Sequence, residues 1–374
     1  MLVRRIAFIE FLSDVAKDRL VSSRTSCEFA SYGEQHELAR RAFEDDRGST
    51  APGLRAAGWI ASELFVNDES AQRAWARETG VVQHGLAVAI EQVRRLSPDV
   101  LFVGDVHAAP RVFLAAVRAD VGVLVGRLDD EAERSFPWAS YDLVLTKRDG
   151  VIDASGGARV ARDPFAMGHL GDATPLSASS SSDFAERSRT IALRGSDTRA
   201  LAASSDVRAA LERAFATVLG TPLAQGEAGL RSRLEVMADT KVVVVAHDAS
   251  YGARTGNLAL LEAASAGALV LVDERVDIDD VLSIGEEVVT YRSPEECVGL
   301  VRHYLAHPDR AASIAKAGRQ RCLRERGSAA QGAMLSAIFE RALEDHVRSR
   351  RASRPRAIDA AIPVRRAASG AEGA

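Results

Sequence analysis

The sequence predicts a two-domain α/β protein in which each domain is a doubly wound parallel sheet with helices on both faces. Three observations carry this. At 374 residues the chain exceeds what one ordinary core accommodates and fits two domains plus extra segments. Short β-rich apolar runs alternate with segments of helical period in both halves, the pattern of parallel strands joined by crossover helices. Between the halves, Gly171 to Ser188 loses all periodicity and holds Ser177 and Ser179 to Ser182, which marks a connection.

In chain order, strands are expected at Ile6 to Phe11, Trp59 to Val66, Val100 to Val103, Val121 to Leu128 and Asp142 to Leu145. Helical spacing falls at Ala71 to Glu78 and Leu86 to Leu96, and Ser97-Pro98-Asp99 stops the latter. The second unit opens with a strand at Thr190 to Leu193 and a helix at Val207 to Leu219. A buried strand at Lys241 to Ala246, a helix at Asn257 to Ser265 and strands at Ala268 to Val272 and Glu287 to Tyr291 follow. Ser293-Pro294-Glu295-Glu296 is a helix start, with hydroxyl cap, proline at the first helical position and acids in the first turn. Amphipathic helices then fill Asp309 to Glu325 and Ala329 to Glu344. The expected division is a Rossmann-like domain over 1–170, a linker over 171–188, a second Rossmann-like domain over 189–328, a C-terminal helix over 329–346 and a disordered basic tail over 347–374.

Composition narrows the function. The overall charge of −4 divides into about +5 on the tail from Val347 and −9 on the body, and so acidic a body argues against nucleic-acid binding. Aromatic residues are only 5% and are not interleaved with basic ones, so a base-stacking platform has no support either. Cys27, Cys297 and Cys322 have no paired spacing, which suits a reducing compartment. The early apolar run is short and broken by Glu10, so neither export nor a membrane span is expected and the chain reads as cytoplasmic.

The segment from Val242 to Asp273 reads strand, glycine-containing loop, short helix, strand. Its loop lies at the carboxyl end of a parallel strand, where open α/β sheets bind ligands. Gly256 lets helix-start amides approach a diphosphate, and Arg254 adds a bidentate donor for phosphate. Glu262, a little over one turn into the helix, suits the two hydroxyls of a ribose; as an isolated residue it reads more readily as a helix-surface glutamate with Arg254 as its partner.

From His247 to Ala317 the chain resembles the C-terminal domain of group 1 glycosyltransferases, especially the spore-maturation-protein (CgeB-like) branch. The matching residues include His247, Tyr251-Gly252, Gly256-Asn257, Leu261-Glu262-Ala263, Ala266 to Leu269 and Asp273. They continue through Gly285 to Glu296, Tyr304 to Pro308 and Ala315 to Gly318. In the first half, Ser31 to Gln35, Leu54 to Gly58, Asn67, Gln72 to Glu78 and Pro98 to Leu101 fall in the same family's order. The resemblance implies the GT-B architecture, two Rossmann-like domains facing a cleft, with a UDP- or GDP-sugar donor on the second domain and the acceptor on the first. His247, Tyr251, Gly252, Arg254, Gly256, Asn257 and Glu262 are the implied donor-binding residues, with Glu262 on the ribose. Two positions depart from the family pattern: Arg254 stands where a second glutamate is common, and Ala259 where this branch commonly has an arginine. Ile191 to Val242 is also short for the first half of a donor domain. These departures keep a second reading open, a catalytically degenerate relative that binds a nucleotide, a glycan or a partner.

Asp105-Val106-His107 follows the strand Val100 to Val103, and either Asp105 or His107 suits a general base on an acceptor hydroxyl. The alternatives are a loop aspartate capping the next helix and a partly exposed histidine. Gly104 to His107 also matches the opening of a dinuclear phosphoesterase site, but no partner motif follows. Asp277-Ile278-Asp279-Asp280 has the spacing of a divalent-ion motif from another transferase fold, and a helix start is expected there instead. No metal and no cofactor are expected, the diphosphate charge being met by Arg254, helix amides and His247. The usual dinucleotide, Walker, nucleophile-elbow and zinc-protease motifs do not occur.

Overall fold

The computed structural model describes residues 3–24, 30–128, 136–146, 159–162, 184–195, 211, 213, 215, 230–246, 258–275 and 278–353. Its first sheet is built from β1 (Arg5–Glu10), β2 (Ile60–Phe65), β3 (Val100–Val103), β4 (Val123–Leu128), β5 (Leu143–Thr146) and β6 (Val160–Arg162) in the order β2-β1-β3-β4-β5-β6, every pairing parallel. Around it lie α1 (Asp14–Ser23), α2 (Tyr32–Asp46), α3 (Ala51–Ala56), α4 (Glu69–Thr79), α5 (Leu86–Leu96) and α6 (Arg111–Val117). The second sheet has β7 (Arg189–Gly195), β8 (Thr240–Ala246), β9 (Leu269–Asp273) and β10 (Val289–Tyr291) in the order β10-β9-β8-β7, again all parallel. Its helices are α7 (Leu230–Ala238), α8 (Leu258–Ser265), α9 (Pro294–Ala306) and α10 (Pro308–Arg326), and α11 (Ser328–Ser353) follows them.

Alternation along each central strand decides what covers each face. In β1, Ala7 and Ile9 pack with Val93 of α5 and with Phe113 and Leu114 of α6, while Ile6 and Phe8 point to the opposite side. That opposite side is covered by Leu54 of α3 and by Leu335, Phe339 and Leu343 of α11, so the last helix returns to the first sheet. Trp59 donates from Nε1 to Ser336 Oγ at 2.9 Å, and Gly53 and Gly332 let α3 and α11 touch backbone to backbone. In β8, Val243 and Val245 pack with Leu260 and Leu261 of α8, and Val242 and Val244 with Val301 of α9 and Ile314 of α10. Both sheets are therefore buried on two faces, as continuous valine-rich strands require.

Helix α11 runs to Ser353, past the expected boundary at 346. Arg159 pairs with Asp345, and His346 lies 3.7 Å from Asp142, tying that last stretch to the first sheet's far edge. The rest of the basic segment, 354–374, and most of the linker at 171–188 lie outside the described residues. The helix expected at Val207 to Leu219 is described only at Leu211, Arg213 and Phe215, all helical. Among the described residues no helix is long and apolar enough to cross a membrane.

Candidate active site

In the first sheet β1 lies between β2 and β3, so the chain leaves β1 to one side and comes back on the other. The crevice outside the carboxyl ends of β1 and β3 is thus the switch point, where such sheets receive ligands. Two loops are tied there. Leu12 N donates to Asn67 Oδ1 at 2.9 Å and Asn67 Nδ2 donates to the Leu12 carbonyl at 2.9 Å, which joins the segments after β1 and β2. Ser13 caps α1 by accepting from Ala16 N, and its hydroxyl donates to Asp46 at 2.7 Å.

Glu10, the last residue of β1, is the group at this edge that sequence reasoning passed over. Ile9 pairs with Val103 and Val103 with Gly126. One step on, Glu10, Gly104 and Arg127 form a row across β1, β3 and β4 on one face of the sheet. Gly104 has no side chain, and the Glu10 carboxyl lies over it where a Cβ would overlap it. Burial pushes the Glu10 carboxyl up to about 8; Arg127 pulls it down, Glu63 raises it, Arg47 lowers it and Asp105 raises it again. Arg127 is itself buried, with its guanidinium over the Phe102 ring at 5.2 Å.

Asp105 and His107 stand just after β3, as the sequence places them. Asp105 Oδ1 accepts from His107 N at 2.9 Å and from Ala108 N at 3.2 Å, which fixes the turn. His107 is exposed, its ring edge-on to Phe136. Phe136 stacks on Tyr141, whose hydroxyl proton is held tightly because burial raises its pKa.

In the second sheet, β8 ends at Ala246, and the Tyr291 hydroxyl donates to the Val245 carbonyl at 2.9 Å, stapling β10 to that end. His247, Tyr251, Gly252, Arg254, Gly256 and Asn257 lie outside the described residues. Glu262 is described. It is fully buried on α8, and Arg233 of α7 donates to it from Nη2 at 3.0 Å and from Nε at 3.4 Å. A carboxylate in a helix is thus satisfied by an arginine 29 residues earlier, a pairing with no local signal in the sequence. Helix α7 touches both α8 and α2, so this ion pair sits on the element that spans the two lobes. Ala259 is buried in the same core, where the arginine of the family pattern would need an outlet.

The aspartates after β9 serve a turn. Asp279 Oδ1 accepts from Ile284 N at 3.0 Å, and residues 278–282 form turns instead of the expected helix start. Asp277 lies outside the described residues. Among the described residues no group of three or more His, Cys, Asp or Glu side chains is placed to hold a metal.

Residues 231–337 match the family model described as glycosyl transferase-like. The match begins in α7, crosses the segment between β8 and α8 and ends in α11. Two solved structures are similar over nearly the whole length. A sucrose-phosphate synthase from Thermosynechococcus elongatus aligns at TM-score 0.51 and 12% identity, covering 91% of this chain and 100% of that one. A glycosyltransferase involved in avilamycin A biosynthesis aligns at TM-score 0.52 and 13% identity, covering 91% and 98%. Among curated proteins no sequence matches. The fold is GT-B, and the match to the glycosyl transferase-like family model falls within its second lobe.

Proposed function

We propose that this protein is a glycosyltransferase that moves a sugar from a UDP- or GDP-sugar to an acceptor held by the first lobe. The observation that carries the reading is the family match over 231–337, which spans the segment that follows β8 in a GT-B fold. The donor diphosphate docks on that segment, where Gly256 admits helix-start amides and Arg254 neutralises charge on the departing group. His247, Tyr251, Gly252 and Asn257 complete the donor contacts. Transfer needs no metal, since arginine and backbone amides meet the phosphate charge. Asp105 and His107 orient the acceptor, and closure of the lobes excludes the water that would hydrolyse the donor. The chain belongs on this reading to the CgeB-like branch and works in the cytoplasm.

Glu262 is the proposed ribose contact. Arg233 occupies its carboxylate, so docking requires Arg233 to release one oxygen to the ribose hydroxyls. The buried Ala259 favours a second reading, a degenerate GT-B module that binds a nucleotide or glycan without turnover. Calorimetric titration with UDP, GDP and their sugars, followed by a nucleotide-release assay, separates the two. Binding with release supports the transferase; binding without release supports the module; no binding refutes both.

A further inference from the structure

Three acid–base side chains meet at the carboxyl edge of the first sheet, and their geometry gives them different work. Asp105 commits Oδ1 to two backbone amides of its own turn. His107 is exposed and held edge-on by Phe136. Glu10 closes the strand at the switch point, partly covered, with its carboxyl over the bare backbone of Gly104 and, among the described residues, no hydrogen bond to it. We propose that Glu10 contacts the attacking hydroxyl of the acceptor and is the group that takes its proton.

The inference rests on the transferase reading and deepens it. As the acceptor oxygen forms its bond to the anomeric carbon, the bond from that carbon to the diphosphate oxygen breaks and its electron pair leaves with the nucleotide. The hydroxyl proton passes to the Glu10 carboxylate, which later returns it to water. The surroundings suit this task. Enclosure by the strands pushes the carboxyl to about 8, so it holds a proton firmly near neutrality while remaining able to lose it. Among the described residues, Arg127 on β4 and Arg47 after α2 lower it, while Glu63 on β2 and Asp105 after β3 raise it. Gly104 is the positioning element, since the carboxyl occupies the space a side chain would fill.

The test uses the full chain, the UDP- or GDP-sugar that binds it, and nucleotide release to a panel of simple glycosides or to water. Wild-type turnover should rise with pH to a midpoint near 8. Glu10→Gln should bind UDP or GDP as the wild type does, yet turn over about 100-fold or more slowly and without that pH dependence. Glu10→Asp should recover part of the rate. Gly104→Ala should displace the carboxyl, lower the midpoint and slow turnover while the protein stays folded. A Glu10→Gln enzyme with wild-type turnover, or a carboxyl carbon resonance of Glu10 titrating near 4.5, overturns the proposal. A wild-type chain that binds neither nucleotide overturns the transferase reading itself, which is seen before any variant is made.

Discussion

Replacing Glu262 by alanine should unfold this protein more easily for a reason that can be worked from two distances. Its carboxylate is fully buried and receives Arg233 at 3.0 and 3.4 Å, while the Arg233 side chain keeps 17% of its surface exposed. At that separation the attraction is about 5 kcal/mol for an effective dielectric of about 20. Desolvation of both ions cancels much of this, so the pair itself is worth little against an apolar substitute. Removing only one partner is different. The guanidinium then loses its Glu262 partner while staying largely covered, and breaking a buried pair in this way costs about 3–5 kcal/mol. Because Arg233 reaches water at its margin, about 2–4 kcal/mol is expected. Urea unfolding should show a lower midpoint with an unchanged slope. Arg233→Ala combined with Glu262→Ala should cost clearly less than the two changes added, with a coupling of about 1–3 kcal/mol. A Glu262→Ala unfolding free energy within about 0.5 kcal/mol of wild type would show that this carboxylate is not structurally engaged.

Other outcomes follow from the same physical terms. The Glu10 carboxyl binds a proton more firmly folded than unfolded, between its ordinary 4.5 and about 8, so the wild type loses stability as pH rises through that window and levels off above it. Glu10→Gln escapes that loss: it should gain up to about 5 kcal/mol over wild type at pH 9 relative to pH 4, at about 1.4 kcal/mol per pH unit, read by urea unfolding at both pH values. An equal gap at both pH values would contradict it. Gly332→Ala would drive a methyl group into the Gly53 backbone. The α3–α11 contact should open at a cost of about 2 kcal/mol or more, seen as a lower thermal midpoint; an unchanged midpoint would mean α11 does not dock that closely. Cys297 and Cys322 are buried, and burial pushes both thiols up to about 12. Neither should react with a thiol reagent at pH 8 until urea unfolds the chain, and labelling of either in the native protein, mapped by peptide mass, would contradict the packing.

Strong periodicity was legible and weak or non-local signals were not. β3 at Val100–Val103 and α5 at Leu86–Leu96 stand where the apolar pattern puts them, because one is a fully buried strand and the other has a clean apolar stripe. α2 was missed although Ser31 and Glu34 form a complete capping box, since its buried face is made largely of Gln35, Ala39 and Ala42, which carry little apolar contrast. β6 has three residues and α3 six, too few for a period to show. In the first lobe, Asp105 and His107 stand just after a strand, which the apolar run Val100 to Val103 makes legible. Glu10 was read only as a polar break in an apolar run. Its meaning comes from Gly104 and Arg127, which register alone brings beside it. A charged residue closing a buried strand at the switch point is the signal that would have pointed to it. Likewise Glu262 stood out as a helix carboxylate, but Arg233 is brought to it only by packing of α7 on α8.

The proposed transfer requires a nucleotide sugar to dock on the segment between β8 and α8 and to lose its sugar there. Calorimetric titration of the full chain with UDP- and GDP-sugars, with wild type and Arg254→Ala side by side, tests it most directly. The wild type should bind one nucleotide class saturably, and the variant about tenfold or more weakly for the loss of a charge-assisted phosphate contact worth about 1.5–3 kcal/mol. Equal affinity in the two proteins, or no heat with either nucleotide, would contradict it.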